Sequence, residues 1–383
     1  MKAAPMDPKP LIRKRIRAAE RDLVDLSHRI HAHPELAFEE VRASAWVAQH
    51  LSAAGFDVEH GCYGMPTAVR ATVGSGRLHL AICAEYDALP EIGHACGHNI
   101  IAAAAVGAGL GLAGIAEDLG LTVTVLGTPA EEGGGGKILM LERGAFDGLD
   151  AAMMVHPAAA EMDAMPGTAV SQFDIRYRGT PAHAGAYPER GVNAADAMTV
   201  AQVAIGLLRQ QTTGADRIQG IVTEAGSAAN VIPDTSRGRW IVRSDTLAAL
   251  APLKARVARC FEAGALATGC ELTVSPVGPD YADLRPDPAM LALYRANAEA
   301  LGRTFLDLPG GAVVGAATDM GNVSHAVRTI HPMLGLDCVP AVNHQREFTA
   351  ACITPAADRA VLDGAIAMAW TAADLAAMSD RAS

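Results

Sequence analysis

The first sixty residues have apolar positions at helical spacing. Hydrophobic residues recur three and four positions apart in LIRKRIRAAERDLVDLSHRIHAHPE, as far as Pro34, and again in EEVRASAWVAQHLSAAGF, as far as Gly55. This spacing places the apolar side chains on one face of a helix, and proline and glycine commonly end helices. The sequence therefore predicts a helical N-terminal region.

After Gly55 the pattern changes to short β-prone runs that alternate with helical stretches. The runs are AVRATVG, LHLAICAEYDA, LTVTVLGTPAEE and AAMMVHP, and the Ala-rich stretch IIAAAAVGAGLGLAGIA separates the second from the third. Strands that alternate with helices predict an α/β fold, with a mostly parallel sheet covered by helices on both faces. In such sheets functional side chains gather just past the carboxyl ends of the strands.

From about Gly167 the pattern predicts a separate α+β unit. A strand, a helix, two strands, a helix and a strand follow one another, and this βαββαβ order is typical of an antiparallel sheet with two helices on one face. Beyond about Arg285, a helix and the strand-like runs HPMLGLDC and AVNHQREF are expected to return to the first sheet. We therefore predict a discontinuous catalytic domain over residues 1–166 and 283–383, and an inserted domain over 167–282.

Composition narrows the possible partners. A length of 383 residues favours two domains, and a net charge of -11 without a long basic stripe argues against nucleic acid. The odd number of cysteines, seven, does not suggest a disulfide framework, so we expect a reducing compartment, the cytoplasm. No apolar segment follows the N-terminal charges and the Ala-rich run is short for a membrane span, so neither a signal peptide nor a membrane partner is expected.

The stretch HACGHN carries the first candidate chemistry. Cys96 and His98 lie two residues apart with Gly97 between them, and both side chains are good ligands for zinc or a similar ion. Taken alone, the stretch leaves three interpretations open: a metal site, a buried inert cysteine, or a nucleophilic Cys96 activated by His94 or His98.

Other predicted strand ends favour the metal site. PAEE supplies Glu131 and Glu132, MVHP supplies His156, and VNHQREF supplies His344. Adjacent carboxylates at a strand end point to opposite sides, so one can bind a metal while the other acts as general base. A solvated acidic turn is the alternative for the Glu-Glu pair. In the inserted domain, His183 and Asn230 lie in predicted loops, where a surface role is the simpler interpretation.

Several motifs in order resemble a known family. RIHAHPELAFEE, AEYDALPEIGHACGHN, TPAEEGGGGK, ATDMGNVSH and NHQREF together resemble the metal-dependent aminoacylase and carboxypeptidase G family. The resemblance is to its amidohydrolase branch, which contains auxin-conjugate hydrolases, p-aminobenzoyl-glutamate hydrolase and related dipeptidases. It covers nearly the whole chain.

The resemblance implies a metal centre and assigns its residues. One or two divalent ions, zinc first and manganese or cobalt next, would be held by five side chains: Cys96, His98, Glu132, His156 and His344. Glu131 would be the general base, and Asp87 would orient a metal ligand. The wider family has a histidine two residues before that aspartate, where this chain has Glu85, which leaves the number of ions open.

The resemblance also implies roles for the inserted domain. It would serve as lid and homodimer interface, with His183 reaching across the dimer to stabilise an oxyanion and Asn230 contacting substrate. Arg243 would hold a substrate carboxylate, although its strand position could equally be solvated.

The implied activity is hydrolysis of the amide bond of an N-acyl or N-aroyl amino acid, such as p-aminobenzoyl-glutamate, or of a dipeptide. Two alternatives stay open at this point: a cysteine-nucleophile amidase that uses Cys96, and a metal-stabilised binding protein without turnover.

Overall fold

The computed structural model describes residues 7–163, 167–306 and 316–382, and the described chain divides into two compact units. The first comprises residues 7–163, 285–306 and 322–382; the second comprises 167–284 and 316–321. The predicted boundary at residue 166 lies outside the described residues. The short segment 316–321, which the sequence analysis placed in the catalytic domain, groups with the inserted unit, where the Thr168 amide donates to the Ala316 carbonyl at 3.0 Å.

The helices and strands follow in chain order. The helices are α1 Lys9–Ala18, α2 Glu20–Ala32, α3 Val41–Ala53, α4 His98–Ala113, α5 Gly136–Glu142, α6 Ala194–Leu208, α7 Leu247–Thr268, α8 Pro288–Glu299, α9 Met320–Ser324, α10 Arg346–Ala351 and α11 Pro355–Ala382. The strands are β1 Asp57–His60, β2 Val69–Val73, β3 Leu78–Ala84, β4 Leu121–Gly127, β5 Ala151–Met153, β6 His156–Ala158, β7 Ala169–Arg178, β8 Arg217–Glu224, β9 Thr235–Ser244, β10 Glu271–Pro276, β11 Arg328–Ile330 and β12 Met333–Gly335.

The first unit is built on a six-stranded sheet of order β1-β2-β4-β3-β5-β11. Strands β4, β3, β5 and β11 are parallel to one another. Strand β2 pairs antiparallel with β4, and the edge strand β1 pairs antiparallel with β2. The mostly parallel α/β fold is therefore confirmed. The run AAMMVHP forms two short strands, because β6 leaves this sheet and pairs with β12 in a two-stranded sheet.

The predicted strand at AVNHQREF is wrong. The segment turns at His344, which has a φ of 68°, and continues as helix α10. The run has apolar residues only at its two ends, and the five consecutive polar residues from Asn343 to Glu347 leave little apolar surface to pack on a sheet. The N-terminal helical region is confirmed and divides at Ala19 into α1 and α2.

Helices α4 and α11 fill the core of the first unit. Helix α4 is buried on nearly every side, and this suits its Ala- and Gly-rich sequence because small residues let neighbouring elements approach closely. In α11, the segment Pro355–Ser379 is long and apolar enough to cross a membrane by length and composition, and 78% of its most apolar window is buried inside the protein.

The inserted unit has the predicted βαββαβ order. Its antiparallel sheet runs β10-β7-β9-β8, so β8 and β10 are its edges. Helices α6 and α7 pack on each other and on this sheet, around a core that includes Phe173, Trp240 and Phe261.

Candidate metal centre

Four loops bring the candidate ligands to the carboxyl end of the parallel strands. The chain leaves β3 through Asp87 and enters α4 at Gly97, which has a φ of 75°. A Cβ on Gly97 would lie 2.8 Å from the Pro157 side chain, so this close approach requires glycine. Glu131 and Glu132 lie in the loop after β4, His156 is the first residue of β6, and His344 lies in the loop before α10.

The five predicted ligands converge, and their donor atoms form two groups that share Cys96. One group is Cys96, His98 and His156, and the other is Cys96, Glu132 and His344; within each group the donor atoms lie within 4.8 Å of one another. Nε2 of His344 lies 3.0 Å from Sγ of Cys96 and 3.5 Å from a Glu132 oxygen. Residues separated by nearly 250 positions in the chain thus meet at one point.

The arrangement around His98 fits a cation. Its Nδ1 lies 2.9 Å from the Asp87 carbonyl and 3.1 Å from an Asp87 carboxylate oxygen, which assigns the proton to Nδ1 and leaves Nε2 facing the cluster. Among the described residues, Nε2 of His98 and Oε1 of Glu132 are buried without a hydrogen-bond partner. Buried polar atoms are nearly always partnered, so these two are explained by a bound ion.

Asp87 also fixes the second group. Its other carboxylate oxygen accepts the backbone N–H of Glu132 at 2.9 Å. One buried side chain therefore orients one candidate ligand from each group, as the partners of metal ligands commonly do.

The protonation behaviour of two of the ligands, His156 and Cys96, fits the same use. Burial lowers the pKa of His156 to about 4, so its imidazole is neutral near pH 7 and its ring nitrogen is available to a metal. Burial, and next the Glu132 charge, raise the pKa of Cys96 well above its usual value. A thiol in that environment is not activated as a nucleophile, whereas a bound metal ion would deprotonate it.

Glu131 is positioned beside the cluster. Its side chain is 7% exposed, and one carboxylate oxygen lies 3.9 Å from Nε2 of His98. The preceding residue, Ala130, has a φ of 60°, and its N–H donates to Oε1 of Glu40 at 2.9 Å. A left-handed residue at such a place is typical of a loop held in one conformation for function.

Within the inserted unit, His183 and Asn230 lie on neighbouring backbone segments. The N–H of Ala184 donates to the Asn230 carbonyl at 2.9 Å. The backbone N–H groups of Gly185 and Ala186 donate to Nδ1 of His183, at 3.2 and 3.1 Å, so its proton lies on Nε2 of an exposed ring. Such a ring is a ready hydrogen-bond donor.

Arg243 lies near the end of β9, whereas Asn230 precedes the start of that strand, and the Arg243 side chain alternates with those of Trp240 and Val242, which belong to the core. Burial lowers the pKa of its guanidinium, and its Nη1 is buried without a hydrogen-bond partner among the described residues.

Three further buried residues adjoin the cluster and were not among the predicted site residues: Glu85, Lys137 and His331. Lys137 donates to Glu85 in a short contact, and His331 lies against His156 with ring centroids 5.3 Å apart. The signal for His331 was a repeated His-Pro dipeptide, since His331-Pro332 and His156-Pro157 follow the neighbouring parallel strands β11 and β5.

Comparison with known proteins identifies relatives along most of the chain. Residues 81–360 match the model of Peptidase family M20/M25/M40. Xaa-Arg dipeptidase of Mus musculus is 39% identical over 94% of this chain and 86% of its own length. A p-aminobenzoyl-glutamate hydrolase polypeptide of Escherichia coli (strain K12) is 32% identical over 66% of this chain and 57% of its own length.

A solved structure has the same fold. It is described as a dinuclear metal binding peptidase of the M20 family from Bacillus subtilis, and it superposes with a TM-score of 0.67 at 21% identity, over 94% of this chain and 99% of the other.

Proposed function

We propose a substrate and a mechanism for this chain, which belongs to Peptidase family M20/M25/M40 and is a metal-dependent hydrolase of amide or peptide bonds. The proposed substrate is a dipeptide, and dipeptides with a C-terminal arginine are the first to test. This choice is supported by the similarity to an Xaa-Arg dipeptidase over 94% of the chain. N-acyl and N-aroyl amino acids, including p-aminobenzoyl-glutamate, are the second class.

The observation that carries the proposal is the convergence of Cys96, Glu132 and His344 beside His98 and His156. We propose that Cys96, His98 and His156 would hold one ion and that Cys96, Glu132 and His344 would hold a second, with zinc as the first metal and manganese or cobalt as alternatives, since all three accept such ligands. The bound metal would polarise the scissile carbonyl and make water acidic enough to ionise near neutral pH.

The protein side chains would supply the proton transfers and the remaining charge stabilisation. Glu131, next to the ligand Glu132, takes the proton from the attacking water and returns it to the leaving amine. His183 donates from Nε2 to the oxygen on which negative charge develops. Asn230 contacts substrate from the neighbouring segment, and Arg243 binds the substrate carboxylate through its buried, unpaired Nη1.

Replacing the base tests the mechanism. Glu131→Gln is expected to lower kcat about 10²- to 10⁴-fold while metal content stays at the parental value, because the ligands are untouched. The matched control is Glu132→Gln, which removes a proposed ligand and should lose the ion held by Cys96, Glu132 and His344, together with activity. Metal content by elemental analysis and kcat on an Xaa-Arg dipeptide are measured on each protein. A Glu131→Gln variant that hydrolyses substrate like the parent would refute the assignment.

Substrate class is tested with a panel. Dipeptides with C-terminal arginine or lysine, N-acetyl amino acids and p-aminobenzoyl-glutamate are compared by kcat/KM in protein reconstituted with zinc, manganese or cobalt. The dipeptides are expected to give the highest values. A preference for p-aminobenzoyl-glutamate would move the chain to the second substrate class and leave the metal mechanism intact.

We also propose a homodimer through the inserted unit. Edge strand β8 exposes Ile221 at 63%, and α6 exposes Val203 at 59% and Leu207 at 69%. An exposed edge strand offers unpaired backbone groups for pairing with another chain, and Val203 and Leu207 lie four residues apart on one helix face. Such a dimer would allow His183 to act on the partner's substrate.

A further inference from the structure

A buried ion pair lies directly beside the candidate metal centre. Glu85 and Lys137 are both fully buried, and Nζ of Lys137 donates to Oε1 of Glu85. Lys137 lies in the first turn of α5, where a positive charge opposes the helix dipole. Burying an ion pair also costs about as much in desolvation as the attraction returns. Stability of the helix or of the fold therefore does not account for the pair.

The second carboxylate oxygen of Glu85 faces a candidate ligand. Oε2 of Glu85 lies 3.3 Å from Nε2 of His98, and it is buried without a hydrogen-bond partner among the described residues. With Nδ1 of His98 directed at Asp87, Nε2 of His98 and Oε2 of Glu85 face each other, and a metal ion bound at Nε2 would take the place of a proton shared between them. Two such atoms are stable side by side when a cation lies close to both.

The charges near His98 suggest what Glu85 does. Lys137 is a fixed positive charge in the wall of a site that is expected to bind divalent cations, and in a buried environment such a charge repels them strongly. Glu85 lies between the ammonium and His98, with one oxygen directed to each. Its charge therefore cancels that of Lys137 on the side where the ion would bind.

We propose that Glu85, ion-paired with Lys137, is a positioning residue that sets the affinity of the ion held by Cys96, His98 and His156. It cancels the ammonium charge and turns a negative oxygen toward that ion, while its two oxygens face Lys137 and His98 and neither is directed at Glu132 or His344, which complete the other donor group. This inference rests on the proposed two-ion centre. It explains why glutamate occupies the position where the wider family has a histidine.

A double-mutant cycle tests the inference. Zinc affinity of the full chain is measured by competition with chelators for the parent, Glu85→Gln, Lys137→Met and the double variant. Glu85→Gln leaves the ammonium charge uncancelled, so one of the two zinc ions is expected to bind about 10- to 100-fold more weakly and the other unchanged. Lys137→Met is expected to keep or raise both affinities. The double variant, which is neutral again, should recover most of the affinity that Glu85→Gln loses.

Two controls separate charge from structure. Glu161→Gln changes another buried glutamate of the same unit, one that is paired with Arg303, and should leave both zinc affinities at the parental value. Glu85→Asp keeps the charge and should stay closer to the parent than Glu85→Gln. In cobalt-substituted protein, the thiolate-to-cobalt absorption of Cys96 should persist in Glu85→Gln. At a cobalt concentration that just fills both sites of the parent, the number of ions bound per chain should fall from two toward one in this variant.

The results of these experiments separate the role of the Glu85–Lys137 pair from the two-ion centre on which it rests. Equal weakening of both ions in Glu85→Gln, unchanged affinities, or a double variant as weak as Glu85→Gln would each overturn the role of the pair. If Glu85→Gln fails to fold, Lys137→Met decides, because weaker zinc binding in that variant contradicts charge cancellation. A parental chain that binds no zinc would instead refute the proposed metal centre.

Discussion

At the scale of single residues, Asp87 connects the two halves of the candidate centre. Its carboxylate accepts from Nδ1 of His98 at 3.1 Å and from the N–H of Glu132 at 2.9 Å. Asp87→Asn keeps the volume but sets an amide donor against one of these two donors. We expect metal affinity to fall about 10- to 100-fold, as measured by chelator competition. Parental affinity in Asp87→Asn would show that the two ligands are oriented by other contacts.

Glu40 carries a pH-dependent part of the stability. Burial raises its pKa to about 7, and it accepts from the Ala130 N–H and the Thr67 hydroxyl. A glutamate in the unfolded chain titrates near 4.3. Because the folded-state pKa is the higher one, this stabilisation is complete below about pH 4.3 and is lost as the pH rises through 7.

Glu40→Gln imitates the protonated carboxyl group and should remove this dependence. The free energy of unfolding of the parent is expected to fall, relative to the variant, by an amount on the order of 1–3 kcal/mol between pH 4.5 and 7.5. Denaturant titrations of both proteins in chelator measure it, so that protonation of the metal ligands does not contribute. Parallel pH profiles for the two proteins would contradict the raised pKa.

The residues that the sequence analysis assigned to the site and those it missed differ in one physical respect. Cys96, Glu132 and His156 stand at predicted strand ends or in a compact motif, so their types and positions were informative. Lys137 and Glu40 contribute through partners far along the chain, Glu85 and Ala130, and no local pattern encodes such a pairing. His331 became significant only once β11 was placed beside β5.

At the scale of elements, the spacing of hydrophobic residues predicted the helices and most strands. It failed where contacts with distant parts of the chain determine the local conformation. The predicted strand at AVNHQREF is a turn and a helix, because His344 takes a left-handed backbone conformation that brings its ring to Cys96. The short strand β1 was missed, since four mostly exposed residues carry no hydrophobic alternation.

The glycines of α4 give a stability prediction. A Cβ on Gly107 would lie 2.8 Å from Cβ of Ala365 in α11, which cannot move away without shifting the helix. Gly107→Ala is therefore expected to lower the free energy of unfolding by about 1–3 kcal/mol, despite the better helix propensity of alanine. Gln49→Ala, at an exposed position of α3, should change it by less than about 0.5 kcal/mol. A neutral or stabilising Gly107→Ala would show that α4 and α11 pack loosely enough to adjust.

At the scale of the whole molecule, the proposed dimer ties assembly to turnover. Ile221→Glu places a charge on edge strand β8, where exposed apolar side chains would otherwise pair two copies, and should shift the protein toward monomer. Val274→Glu makes the same change on the opposite edge strand, β10, and should leave the oligomeric state unchanged. Light scattering measures the mass, and kcat is measured on the same samples. Because His183 is proposed to act across the dimer, kcat should fall with the fraction of dimer while zinc content stays constant. A monomer with full kcat would remove His183 from that role and leave the metal centre as the source of catalysis.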